Sequence, residues 1–230
     1  MKENNQTIEK SNLAERVYRK IRDSLTIGEF LPGERLRIRE MANMYGTSTT
    51  PVREALLRLV SEHALDMEAA TKIVVPALSL NRYREIRNVR CVLEALAAEA
   101  AMHNLQPVDI KKLKEINSRF AIAESGKIAK DMFTFNREFH FYIYSRCNQP
   151  ILLALIDNMA ASMGPILRSF YESSQQDYNK GAEQHDKIIA ALKNQEGESV
   201  KSALKLDITL AGKSIVAFLR EVEAAENAIP

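Results

Sequence analysis

Three places in this 230-residue chain carry side chains whose types and spacing could do chemistry. The first is Ser48-Thr49-Thr50-Pro51-Val52-Arg53. Thr47 to Thr50 reads as a polar turn, with Thr50 as N-cap and Pro51 at the first position of a helix, where its missing N–H costs nothing. A helix N-terminus aims N–H groups and short polar side chains at phosphates and base edges. Arg53 lies at the same end, and Arg39, at the start of the preceding short helix, can reach neighbouring phosphates. The second place is Arg90 with Glu94. Four residues apart, they can pair on one helix face; a buried arginine there can equally clamp a carboxylate ligand. The third is Asn136 with His140, again four apart and so on one face, with His185 on a later helix. Imidazole suits zinc, nickel or iron, although a single histidine on an amphipathic helix is more often an ordinary residue. His63 and His103 fit no such pattern. Cys91 and Cys147 lack Cys-x-x-Cys spacing, so neither a disulfide scaffold nor a zinc knot is expected, and a reducing cytosol fits.

The elements that must position these groups are helices. Hydrophobic residues make up 46% and charged residues 27%, with 8 Gly, 7 Pro and no Trp, which favours a helix-rich chain of one large or two modest domains over a turn-rich β sandwich. The first ten residues read as a loose tail. Leu13, Val17, Ile21 and Leu25 give one face of a helix over 12–27, capped by Ser11 or Asn12 and ended by Gly28. Pro32-Gly33 is a turn signal. Residues 38–45 form a short helix closed by Gly46; the third helix buries Val52, Leu56, Leu59 and Val60. Residues 65–75 read as a small hairpin ended by Pro76. Six helices follow, near 81–103, 107–124, 128–146, 149–172, 176–193 and 197–225, with a kink expected at Pro165. The chain is therefore mainly α: tail 1–10, winged helix-turn-helix 11–76, linker 77–80 and a six-helix antiparallel bundle 81–226.

Nine basic residues between Arg16 and Arg58 interleave with six acidic ones for a local net of +3, while the whole chain carries only +2. Counterion release follows the phosphates contacted, not net charge, so this suffices for DNA if the arginines share a face. Residues 1–11 are polar and lack the apolar core of a signal peptide. The apolar run 151–156 stops at Asp157, far below the ~20 residues of a membrane span. The expectation is a cytoplasmic protein with no membrane partner.

The order of motifs resembles the GntR family of bacterial transcription factors over about residues 13–78. Gly28-Glu-Phe-Leu-Pro-Gly-Glu-Arg-Leu36, then Arg39-Glu-Met-Ala42, then Gly46-x-Ser48-x-Thr50-Pro-Val-Arg53-Glu-Ala-Leu56 carry the resemblance. It implies DNA contacts from Arg39, Ser48, Thr49, Thr50 and Arg53. Thr49 stands where the family usually has arginine, so a guanine-reading group is absent and sequence preference should change. The wing tip, Glu68-Ala-Ala-Thr-Lys72, lacks the family's glycine and leaves Lys72 as its phosphate contact.

Residues 80–220 resemble the FadR-type effector domain of that family, called FCD. Arg90-x-x-x-Glu94, Asn136-Arg-Glu-Phe-His140 with Asn148, and Glu183-Gln-His185-Asp-Lys-Ile-Ile-Ala-Ala-Leu192 carry it, and six helices suggest the VanR branch. In the family an aspartate and three histidines hold a divalent metal. The matching positions here are Asn136, His140, His185 and Asp207, two nitrogen and two oxygen donors, which suits zinc or nickel and admits manganese. The resemblance implies a homodimeric regulator, a repressor, on a double-stranded DNA operator, responding to a small carboxylate effector that Arg90 helps hold. Two other readings remain: an adaptor with weakened or lost DNA binding, which Thr49 and the altered wing suggest, and an all-α metalloenzyme, for which no His-Glu-x-x-His motif is present.

Overall fold

A computed structural model describes residues 3–69, 72–173 and 180–227. The chain divides into two compact units, one of residues up to Leu78 together with Asn158–Ile166, the other of Ser79–Asp157 with Leu167 onward.

The first unit holds α1 (Glu3–Thr26), α2 (Ile38–Met44), α3 (Thr49–Ser61), β1 (Asp66–Ala69) and β2 (Lys72–Val74). Helix α1 starts at Glu3, not at the predicted cap of Ser11 or Asn12; nothing in residues 3–10 is Gly or Pro, so no residue type there breaks the helix. Its apolar stripe Val17, Ile21 and Leu25 is buried against Val52, Leu56 and Leu59 of α3, with Ala161 in the same core. Gly46 follows α2 with φ +61°, the left-handed geometry that glycine adopts at no steric cost.

The strands pair antiparallel, Asp66 opposite Val74 and Met67 opposite Ile73, with an irregularity between Met67 and Ala69. The segment after the Pro32-Gly33 turn adds to this hairpin: Val75 N–H donates to Glu34 O at 2.9 Å and Leu36 N–H to Ile73 O at 3.0 Å. The wing tip residues Ala70 and Thr71, like part of the predicted helix start at 176, lie outside the described residues.

The second unit contains α4 (Leu80–Met102), α5 (Pro107–Ser125), α6 (Ala129–Tyr144), α8 (Gly181–Asn194), α9 (Gly197–Asn227) and the two ends of α7 (Pro150–Glu172). These are the six expected helices. Helix α7 is continuous across Pro165. Ala95, Ala97, Ala98 and Ala101 are all buried on α4, and such small side chains let neighbouring helices approach closely. Around them pack Leu113 and Ile116 of α5, Phe139 and Ile143 of α6, Ile188 and Leu192 of α8, and Val200 and Leu204 of α9.

Helix ends are satisfied from a distance. Glu223 of α9 accepts the Leu80 N–H at 2.8 Å, and Glu124 of α5 accepts the Gly181 N–H at 2.7 Å. Both place a carboxylate at a positive helix N-terminus.

Helix α7 departs from the sequence expectation in one respect. By length and composition it could cross a bilayer, because Ala, Ser and Met extend the apolar run beyond Asp157. Its most apolar window is 44% buried within the protein.

Candidate functional site

In the first unit, α3 begins at Thr49 with Ser48 as N-cap, two residues earlier than predicted. Pro51 is thus the third helical residue, still within the first turn whose N–H groups have no intrahelical acceptor. Ser48 makes no side-chain capping bond, so its hydroxyl is not consumed by the helix. Ser48, Thr49, Thr50, Arg53 and Arg39 are all exposed.

The basic residues fall into two sets. Arg58 is a brace: it bonds Glu15 at 2.7 Å and Glu62 at 2.9 Å and lies 3.6 Å from the centre of the Tyr18 ring. The Tyr18 hydroxyl donates to Glu62 at 2.7 Å; burial, then that bond, push its pKa up to about 12. Arg37 pairs with Glu40, and Lys72 with Glu68, so the wing's one lysine arrives with its charge already met. Among the described residues Arg35, Arg39 and Arg53 make no ion pair. The structure therefore keeps free the arginines at the N-terminal ends of α2 and α3.

In the second unit, His140 of α6, His185 of α8 and Asp207 of α9 converge. All three are buried, and their ligand atoms lie within 4.8 Å of one another. His140 Nε2 is 3.2 Å from Asp207 Oδ2. His185 Nε2 and Asp207 Oδ1 are buried without a hydrogen-bond partner among the described residues. Burial holds the His185 pKa down to about 3, so its imidazole is neutral near pH 7. For Asp207, burial alone would raise the pKa, but His140 beside it outweighs burial and keeps the carboxyl below its ordinary value.

His140 and Asp207 border a cavity of about 40 Å³, lined also by Arg90, Asn136, Tyr83 and Tyr171. That is room for a few water-sized groups. Asn136 lines the same cavity as His140 and Asp207, while His185 joins those two in the cluster of ligand atoms. Arg90 also reaches the cavity wall, but its guanidinium is engaged by Glu94 through Nε at 2.5 Å and Nη2 at 3.4 Å.

Sequence reasoning did not find the groups behind the histidines. Asn117 of α5 accepts from His185 Nδ1 at 3.0 Å, and Tyr144 of α6 lies 3.2 Å from His140 Nδ1. Asn117 had a signal: it stands on the apolar face between Leu113 and Phe120, where a polar residue must find a partner. Tyr144 had none, because tyrosine at a core position is ordinary.

The cluster predicts a pH dependence. A histidine whose folded pKa is depressed stabilises fully above its unfolded value near 6.5, and that contribution is lost as pH falls toward about 3. Urea unfolding of metal-free protein at pH 7.5, 6 and 5 should show stability falling as pH falls. His185→Gln should flatten that dependence by about 1.4 kcal/mol per pH unit below 6.5; an unaltered slope would contradict the assignment.

Comparison with known proteins bears on both units. Residues 13–70 match the "Bacterial regulatory proteins, gntR family" domain and residues 85–209 match the FCD domain. The chain is 35% identical to the HTH-type transcriptional regulator McbR of Escherichia coli (strain K12), over 80% of this chain and 84% of that protein. It is 22% identical to the HTH-type transcriptional repressor RspR of the same organism, over 87% of this chain and 88% of that one. The solved structure of E. coli McbR/YncC superposes with a TM-score of 0.78 at 32% identity, covering 92% of this chain and 98% of the other. A GntR regulator from Rhodococcus sp. RHA1 shares the fold at TM-score 0.69 and 19% identity, covering 89% and 97%. With a winged helix-turn-helix whose free arginines flank the third helix, and a six-helix effector unit, this chain belongs to the GntR family of DNA-binding transcription regulators, in its FadR subfamily with an FCD domain, and is not an enzyme.

Proposed function

We propose that this protein is a ligand-responsive repressor whose FCD unit senses a small carboxylate through a divalent ion held by His140, His185 and Asp207, with Asn136 completing the set. The observation that carries this reading is the buried cluster of ligand atoms, two of them without partners, on the wall of a cavity. Buried polar atoms are rarely left unpaired, and neutral imidazoles with a carboxylate suit zinc or nickel, while the oxygen donors admit manganese. When bound, the ion supplies positive charge inside an otherwise apolar bundle. The need for it follows from the local charges. Arg90 and Glu94 cancel, and the buried Asp207 carboxylate makes the cavity unreceptive to an anion. A divalent ion reverses that sign. Six helices favour the VanR branch, and a DNA-binding role favours the cytoplasm, without a membrane partner.

On the DNA side, Ser48, Thr49, Thr50 and Arg53 read the major groove of a double-stranded operator from the first turns of α3, and Arg39 holds phosphate from α2. Lys72 adds little because Glu68 already pairs with it. That pairing, with the acids Asp66 and Glu68 exposed on β1, favours a wing that contributes weakly and a regulator that relies on α3. The protein acts as a homodimer, since two half-sites need two recognition helices. On α4 an exposed apolar stripe, Val89, Val92 and Leu96, repeats at three and four residues, the spacing of a helix–helix seam. A second copy presenting the same stripe would cover it by two-fold symmetry.

Arg53→Ala should cost about 1–3 kcal/mol in operator binding with relaxed specificity if Arg53 reads a base. Arg39→Ala should weaken binding uniformly and reduce the salt slope by about one. Unchanged affinity in both would point to the adaptor reading, and fluorescence anisotropy with operator DNA at several salt concentrations decides it. Replacing His140 and His185 together with Ala should abolish metal content by elemental analysis and, with it, the effector response in the DNA assay. Loss of metal with a retained response would refute the ion-mediated reading. Val92→Glu should convert a dimer to monomer in sedimentation at micromolar concentration; a wild-type monomer would overturn the dimer itself.

A further inference from the structure

We infer that Asn117 and Tyr144 are positioning residues that fix His185 and His140 with their protons on Nδ1, so that both Nε2 atoms face Asp207 before any ion arrives. The inference rests on reading His140, His185 and Asp207 as an ion site, but not on which ion it holds.

A neutral imidazole carries one proton on either ring nitrogen, and only the bare nitrogen can ligate. Free in water, histidine takes both forms. A site that must wait for the correct form in two rings binds more weakly than one that holds them ready. What holds a ring is the partner of its other nitrogen.

For His185 that partner is Asn117, and its orientation is determined. The Asn117 Nδ2 donates to Ala182 O at 3.0 Å and to Asp186 Oδ1 at 2.8 Å, which uses both of its hydrogens. A flipped amide would set its oxygen against two acceptors. Asn117 Oδ1 therefore faces His185 Nδ1 at 3.0 Å, and that nitrogen must carry the proton. The ring plane is fixed as well: Phe139 stacks on it at 3.9 Å and 14°, and Phe120 lies 4.8 Å away. Nε2 is left buried with its lone pair unpartnered.

For His140 the chain of reasoning passes through one more residue. Glu94 is a carboxylate held by Arg90. The Tyr144 hydroxyl has one hydrogen, and it goes to Glu94 Oε2 at 2.6 Å. Burial and the Glu94 charge hold the Tyr144 pKa well above its ordinary value, so that hydrogen stays. The Tyr144 oxygen can then only accept from His140 Nδ1, 3.2 Å away. Nε2 of His140 is turned to Asp207. The opposite form would donate from Nε2 to Asp207 and close the site as an ordinary histidine–carboxylate pair. Tyr144 works against that closure. Arg90 and Glu94 thus act on His140 through Tyr144.

The test uses the full-length protein freed of metal, labelled with ¹⁵N and read by long-range ¹H–¹⁵N correlation of the histidine rings. Both His140 and His185 should carry a proton on Nδ1 in the wild type. Tyr144→Phe, which keeps the ring and its packing, should move His140 to the form protonated on Nε2 alone. Asn117→Ala should remove the preference at His185. Calorimetric titration with manganese, nickel or zinc salts alone should show affinity falling 10–100-fold in each variant, with far-UV circular dichroism unchanged. If Asn117→Ala does not fold, Tyr144→Phe still decides the matter. A wild-type ring protonated only on Nε2, or variants with wild-type proton positions and wild-type ion affinity, would overturn the positioning role while leaving the ion site standing. A wild type that binds none of these ions, yet holds both protons on Nδ1 in a way the variants lose, would support the positioning role and refute the ion site.

Discussion

A carboxylate taken out of water must be compensated by protons, by charge or by a metal, and in the FCD unit that carboxylate is Asp207. Its position on α9 faces α6 through His140 and α8 through His185, so three helices share one polar centre in a core otherwise made of Ala, Leu, Ile and Phe. Behind it the polar groups continue in two directions, through Tyr144 and Glu94 to Arg90, and through Asn117 to Asp186. Tyr144 and Asn117 spend their hydrogens outward, on Glu94 and on Ala182 and Asp186. His185 Nε2 and Asp207 Oδ1 remain unpartnered at the centre. A network built for stability alone would close on itself, since an apolar replacement of buried polar groups is often neutral or stabilising. This one leaves two acceptors unpartnered at its centre, which is what the proposed cation site requires.

The winged-helix unit solves the opposite problem, because its functional groups must stay wet and unpaired. It does so by dividing its arginines. Arg58 is drawn into a surface brace with Glu15, Glu62 and the Tyr18 ring, tying α1 to α3. Arg39 and Arg53, near the N-terminal ends of α2 and α3, have no such carboxylate. The acidic residues interleaved through this segment thus reduce the net charge without neutralising the reading edge. A local net of +3 would look weak for a DNA binder if charge were evenly spread; the distribution makes it sufficient.

How much of this was legible in the sequence depended on the range of the interaction. Helix periodicity and punctuation by Pro107, Gly126, Pro150 and Gly197 located the six helices of the second unit within a few residues, except at the start of α8, which adjoins residues outside the described ones. The clustered positions His140, His185 and Asp207 were legible because they sit on such helices and match a family pattern. Local rules failed where tertiary context decided. Thr50-Pro51 read as cap and first residue, yet α3 starts at Thr49, because an N-terminal turn tolerates proline at more than one position. The Glu34–Leu36 segment pairs with β2, and no alternation of side chains announced it. Arg58 lay in a run of basic residues with nothing to mark it as a brace, since its partner Glu15 lies 43 positions away. Tyr144 is silent for the same reason: its role exists only once Glu94 and His140 are brought to either side of it.

The two departures from the family's metal pattern take on a different meaning in three dimensions. Read one at a time, asparagine for aspartate at 136 weakens a ligand, and aspartate for histidine at 207 replaces a nitrogen donor with an oxygen. Each looks like decay of the site. Taken together they keep its charge: the family's set carries one carboxylate, and so does this one. The negative charge has moved from α6 to α9, where His140 lies 3.2 Å away and offsets the cost of burial. Random loss would not be expected to restore the count. A divalent ion here leaves the same net positive charge facing the cavity as the family's own donors would, while an added oxygen donor makes the site more tolerant of harder ions. On the proposed reading the arrangement is therefore that of an exchanged ligand position.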